Sequence, residues 1–120
     1  LVTFQIQSGN HIRAMALVTL ADHAAADGEN ERTEAAPGEG PIDAAFNAIR
    51  RIAGVADIAL VSYEIRAVTE GTDALGEAIV KIKSGESVFT GRGVSTDIIK
   101  ASIKSYLNAI NKLLLGTGSV

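Results

Sequence analysis

At 120 residues, 47% of them hydrophobic, the chain is long enough to close one compact core and too short for two ordinary independent domains. A net charge of −3 with a pI near 5.3 gives no broad positive field, and five aromatic side chains leave little for base stacking, so nucleic acid is not expected as a partner. The absence of cysteine excludes disulfides and thiolate metal sites, and no uncharged apolar run approaches the roughly 20 residues that cross a bilayer, so the chain reads as soluble and cytoplasmic, with no membrane partner.

The opening Leu1-Val2-Thr3-Phe4-Gln5-Ile6 alternates and has no basic segment followed by an apolar one, so it is not read as a signal peptide. It also lacks an initiator Met, which points to a fragment of a longer protein. Alternation continues through Ile12, Ala14, Ala16, Val18 and Leu20, and the turn residues Ser8-Gly9-Asn10 join the two runs as an antiparallel hairpin. The polar stretch from Asp22 to Arg32, with Asp27-Gly28 as its tip, reads as a loop leading to a short strand around Arg32 to Ala36.

A helix is predicted from Pro41 to about Ala53, with Ile42, Ala45, Phe46, Ile49, Ile52 and Ala53 on one face, Pro41 suited to the first turn and Gly54 as the stop. A strand follows over Ile58 to Thr69, presenting Val61, Tyr63, Ile65 and Ala67 on one side. Leu75 to Lys83, the turn Ser84-Gly85-Glu86 and Ser87 to Gly91 form a second hairpin, with Ala78, Val80 and Ile82 opposite Glu77, Lys81 and Lys83. The last helix carries Ile98, Ile99, Ile103, Tyr106, Leu107, Ile110, Leu113 and Leu114 on one face and is capped by Asp97 or Thr96. Residues 116–120 are left as a flexible tail.

These elements repeat. Gly38-Glu39-Gly40-Pro41-Ile42-Asp43-Ala44 answers Gly91-Arg92-Gly93-Val94-Ser95-Thr96-Asp97-Ile98 at an offset of 53 residues, each motif standing between a set of strands and a helix. The fold class is therefore α+β: two βββα subdomains, 1–55 and 56–115, related by a pseudo-twofold axis in a two-layer sandwich that forms a single domain over 1–115.

A Gly-x-Gly turn running into a helix presents unpaired N–H groups at the positive end of the helix dipole and suits a carboxylate or phosphate; the same glycines also serve any tight strand-to-helix turn. Neither turn matches the phosphate-loop or dinucleotide pattern. Tyr63 reads either as the wall of a small apolar pocket or as a core tyrosine. Glu70-Gly71-Thr72-Asp73 is adequately explained as a turn. His11 and His23 have no partner pattern for a metal, and neither a nucleophile elbow nor placeable paired carboxylates occur, so no catalytic residue and no metal ligand is assigned.

Over GEGPIDAAF (38–46), YEIRAVTEGTDALG (63–76) and GRGVSTDIIKASIKSYLN (91–108), and over nearly the whole chain, the sequence resembles the C-terminal regulatory domain of 2-isopropylmalate synthases and that of their relatives, the citramalate synthases. The resemblance implies a non-catalytic, homodimerising domain that binds leucine as a feedback inhibitor, or isoleucine if the parent is a citramalate synthase. It implies no cofactor in this part, and a catalytic barrel in the same polypeptide that condenses acetyl-CoA with 2-oxoisovalerate on a divalent metal. It carries an effector-binding role to Gly38, Glu39, Gly40 and Ile42 at the first turn, to Leu60, Tyr63, Ala67 and Ala74 as an apolar wall, and to Thr96 and Ile98 at the second turn. A dimerisation scaffold without effector binding is the reading from another class.

Overall fold

The computed structural model describes residues 3–9, 12–21, 31–55, 57–70 and 73–118. The chain divides into two compact units, Leu1–Ala56 and Asp57–Val120. The elements are β1 (Thr3–Gly9), β2 (Ile12–Ala21), β3 (Glu31–Gly38), α1 (Pro41–Ala53), β4 (Ala59–Glu70), β5 (Asp73–Ser84), β6 (Ser87–Ser95) and α2 (Ile98–Gly118). The βββα order thus occurs twice, each time as an antiparallel three-stranded sheet followed by a helix, in the α+β class read from the sequence.

In unit 1 the order is β1-β2-β3, with Ile6 opposite Ala16 and Ala16 opposite Ala36. Ala14, Ala16 and Val18 of β2 and Ala36 of β3 are buried, as are Ala44, Ala45, Phe46, Ala48, Ile49 and Ile52 of α1. The small side chains on both sides let the helix lie close to the sheet, and close packing is what makes dispersion count. Ile42 and Ala53, expected on the buried face, are only half-buried at the helix ends. The stop at Gly54 is as the sequence reads: φ is 70°, a left-handed conformation that glycine adopts without a Cβ penalty, and its N–H donates to the Arg50 carbonyl at 2.9 Å. The loop expected from Asp22 onward lies, over 22–30, outside the described residues.

In unit 2 the order is β4-β5-β6. The β5–β6 turn has Gly85 at φ 62° between the paired Ser84 and Ser87, the positive φ that a two-residue hairpin connection requires. Glu70 pairs with Asp73 at the other hairpin, whose Gly71 and Thr72 lie outside the described residues. The helix covers the face of β5 and β6 that carries Ala78, Val80, Ile82, Gly91 and Gly93.

Several sequence expectations are corrected here. The Gly91-Arg92-Gly93 segment is not a turn but lies within β6, which continues to Ser95. A Cβ on Gly91 would overlap the Ser105 carbonyl and Ala109, and one on Gly93 the Ala101 carbonyl and the Ser105 nitrogen. These glycines exist for contact between strand and helix, and they face the small residues Ala101, Ser105 and Ala109, spaced by four along α2. The 53-residue offset is therefore not the structural one. The first intrahelical bonds, Ala44 N–H to the Gly40 carbonyl and Ala101 N–H to the Asp97 carbonyl, put Gly40 and Asp97 in equivalent places, 57 residues apart.

The face of β4 is corrected too. Pairing slips by one between Leu60 and Ser62, so that Leu60 stands opposite Ile82 and Tyr63 opposite Val80. Leu60 therefore shares the face of Tyr63, Ile65 and Ala67, and Val61 is the extra residue of the bulge. Helix α2 runs on to Gly118, past the tail boundary expected at 116.

Because backbone atoms of α2 stand where a larger side chain would project, Gly93→Val should destabilise the chain by about 1–3 kcal/mol or more, the usual cost of overpacking. Urea denaturation checks this. The same substitution at Gly40, where a Cβ meets nothing within 4 Å, should cost less than Gly93→Val.

Candidate functional site

The two strand-to-helix junctions differ in what meets the helix N-terminus. In unit 1, β3 ends at Gly38, Glu39 and Gly40 bend the chain, and Pro41 opens α1 at the position where a missing N–H costs nothing. Gly38 is buried, and a Cβ on it would overlap the backbone of Asp43 and Ala44, so the strand end is pressed against the first helical turn. Gly40 is the N-cap and supplies no side chain to the first-turn N–H groups. The Glu39 N–H donates to Asp43 Oδ2 at 3.0 Å, so the first turn of α1 carries a carboxylate of its own, but no side chain caps its first N–H groups.

In unit 2 the junction is Ser95-Thr96-Asp97. Asp97 Oδ1 accepts from the Ile99 N–H at 2.9 Å and the Lys100 N–H at 3.3 Å, and the Asp97 N–H donates to Ser95 Oγ at 3.1 Å. A carboxylate of the chain itself therefore occupies the end of α2, as the Asp97 cap read from the sequence requires. The expectation of two equivalent anion-accepting turns is corrected accordingly: only the α1 junction is left without a side-chain cap.

The apolar wall is built on unit 2. Ala67, Thr96 and Ile98 line one cavity of about 240 Å³ together with Ile65, Arg66, Leu75 and Gly76. Gly76 gives this cavity its depth, since a Cβ there would meet Ile98 Cδ1 at 2.8 Å. Sequence reasoning left out Ile65, Leu75 and Gly76. A glycine inside a strand that otherwise alternates was the available signal for Gly76.

Leu60 and Tyr63 share the face of Ile65 and Ala67 but lie further along β4 and do not line that cavity. Leu60 is 50% exposed. The half-buried Tyr63 extends its hydroxyl to Ser102 Oγ on α2. Because Ser102 Oγ donates its one proton to the Ile98 carbonyl at 2.8 Å, Tyr63 is the donor in that pair. Ser102 and Ser105 are both buried and both bonded, Ser105 Oγ donating to the Ser102 carbonyl at 2.7 Å. Ala74 pairs with Thr69 in the hairpin, and its side chain is outside the described set. Gly38, Glu39, Gly40 and Ile42 belong to unit 1.

Among the described residues no group of three or more His, Cys, Asp or Glu side chains is arranged to hold a metal ion; His11 and His23 fall outside them. No helix among the described residues is long and apolar enough to cross a membrane.

The chain belongs to the LeuA allosteric (dimerisation) domain family, whose model matches residues 1–114. It is similar to 2-isopropylmalate synthases from Ruminiclostridium cellulolyticum, 53% identical over 97% of this chain and 22% of the relative, and from Carboxydothermus hydrogenoformans, 50% identical over 92% of this chain and 21% of the relative. It is also 50% identical, over 90% of its length and 21% of the relative, to an Archaeoglobus fulgidus protein provisionally named (R)-citramalate synthase. The chain thus spans about a fifth of the length of these relatives.

Asp97→Ala should lower stability by about 1 kcal/mol, the usual cost of losing an N-cap, while Asp97→Asn, which keeps an acceptor, should retain most of it. Chemical denaturation followed by circular dichroism distinguishes the two variants.

Proposed function

We propose that this chain is the effector-binding regulatory domain of a 2-isopropylmalate synthase, in which leucine is the feedback inhibitor and a homodimer is the working form. The observation that carries the reading is the cavity of about 240 Å³ on unit 2, whose walls are mostly aliphatic and whose size suits a branched side chain. Each buried CH₂ contributes roughly 0.8 kcal/mol to such binding. On unit 1, the uncapped N-terminus of α1, where a Cβ on Gly40 would meet nothing within 4 Å, suits an anionic group.

Exposed apolar residues support dimerisation: Leu60, Val61, Val88 and Val94 are each more than 40% exposed in the single chain, and a second copy would remove them from water. In the parent, acetyl-CoA and 2-oxoisovalerate would be condensed in a cytoplasmic enzyme by a barrel that holds its own divalent metal. Inhibition follows only if leucine binds one arrangement of the parent more tightly than another. The relationship to the Archaeoglobus fulgidus protein favours one alternative, isoleucine binding on behalf of a citramalate synthase. The two effectors have the same number of carbons, so the contour of Ile65, Ala67, Leu75 and Ile98 decides between them.

Calorimetric titration of the chain with leucine, isoleucine and valine tests the reading. Leucine should bind most tightly, with valine weaker by about 1–3 kcal/mol for its missing methylene. Ala67→Leu, which fills the cavity from an exposed strand position, should weaken leucine binding more than about tenfold without lowering the melting temperature appreciably. Binding of leucine to Ala67→Leu with unchanged affinity would remove the cavity from the site; tightest binding of isoleucine would select the alternative parent.

A further inference from the structure

A second cavity, on unit 1, has no part in the effector reading. It is an open pocket of about 680 Å³, lined by Arg13 of β2, Pro37 of β3, Asn47, Arg50 and Arg51 of α1, and Gly54 and Val55 after it. Three arginines thus line one cavity on a chain whose net charge is −3. Among the described residues no acidic side chain lines it, and no carboxylate lies within ion-pairing distance of any of the three.

Two of these arginines are held in place by uncharged acceptors. Asn47 Nδ2 donates to the Pro37 carbonyl at 3.0 Å, which turns Asn47 Oδ1 toward Arg50, and Arg50 Nη2 donates to that oxygen. Arg51 Nη1 donates to the Ala35 carbonyl at 2.6 Å. Each of these bonds uses one of five N–H donors and leaves the rest of a fixed fork available. Arg13 arrives from a different strand, far away in sequence.

Basic residues in the last turn of a helix ordinarily answer the negative end of its dipole. Here that end is already served by other groups: the Arg50 carbonyl accepts from the Gly54 N–H at 2.9 Å and the Val55 N–H at 3.3 Å, and the Ile52 carbonyl accepts from Arg32 Nη1 at 3.4 Å. The side chains of Arg50 and Arg51 instead bond Asn47 Oδ1 and the Ala35 carbonyl, and both residues line the cavity.

We propose that this cavity is a binding site for a small anion bearing two or more phosphate groups. Three like charges on one cavity, with no carboxylate among the described residues paired to them, repel one another, and an occupant carrying several negative charges relieves that repulsion. A single carboxylate would leave the cavity positive, whereas a diphosphate matches it. Guanidinium forks fit phosphate oxygens in pairs, and the volume falls in the range of roughly 300–1,000 Å³ typical of small-molecule sites. The site is separate from the leucine reading, and either can fail without the other.

The test is titration of the chain with inorganic diphosphate at low ionic strength, followed by calorimetry and melting temperature. Diphosphate should bind saturably and raise the melting temperature, with orthophosphate weaker. Arg13→Gln changes a side chain that makes no hydrogen bond among those described, so the fold is not at stake, and it should cost about tenfold in affinity. Arg50→Lys keeps the charge and loses the fork, and should cost a comparable factor. Arg92→Gln, which alters an exposed arginine paired with Glu77 on unit 2, should leave diphosphate affinity unchanged. No saturable binding at millimolar diphosphate, equal loss in Arg92→Gln, or binding of an acidic peptide in its place overturns the proposal.

Discussion

Each unit depends on a helix whose backbone lies against a strand with little or no side chain between them. In unit 2 this contact is made by Gly91 and Gly93 against Ala101, Ser105 and Ala109, and in unit 1 by Gly38 against the first turn of α1. A short three-stranded sheet and one helix bury little surface, so the layers must approach closely for dispersion and apolar burial to offset the entropy of ordering the chain. Small residues on both sides meet that requirement. They also set where each helix begins relative to its sheet, and from that follows what each helix end can bind.

The consequences differ between the units. Contact at Gly38 seats the first turn of α1 on the end of β3, and Gly40 leaves the helix terminus without a side chain. In unit 2 the glycines stand earlier in the strand, β6 continues to Ser95, and Asp97 closes the end of α2 with its own carboxylate. Two units of one architecture thus present different chemistry at equivalent positions, an uncapped helix end in one and a capped end beside an apolar cavity in the other.

Much of this was legible in the sequence. The eight elements follow from alternation, helical periodicity and turn residues, and the left-handed Gly54 and Gly85 stand where a helix stop and a hairpin turn were read. What escaped was what local pattern does not encode. The bulge at Val61 breaks alternation without changing composition, and it moves Leu60 onto the face of Tyr63. A Gly-x-Gly segment has one spelling whether it makes a turn or a close contact, so the pattern at Gly91 and Gly93 does not distinguish a turn from a strand packed on a helix. Ala101, Ser105 and Ala109 add little to an apolar stripe although they are central to packing. The meeting of Arg13 with Arg50 and Arg51 depends on β2 and α1 coming together, which no spacing in the sequence announces.

The chain belongs to the LeuA allosteric (dimerisation) domain family, and allostery requires a ligand whose affinity differs between states. The reading as a leucine receptor places the amino acid's side chain among the aliphatic walls of the cavity on unit 2. Amide hydrogen exchange with and without saturating leucine tests this most directly, because it reports the cavity walls residue by residue. The account predicts slowed exchange along the cavity-lining parts of β4 and β5. Exchange unchanged there while leucine is bound would contradict it.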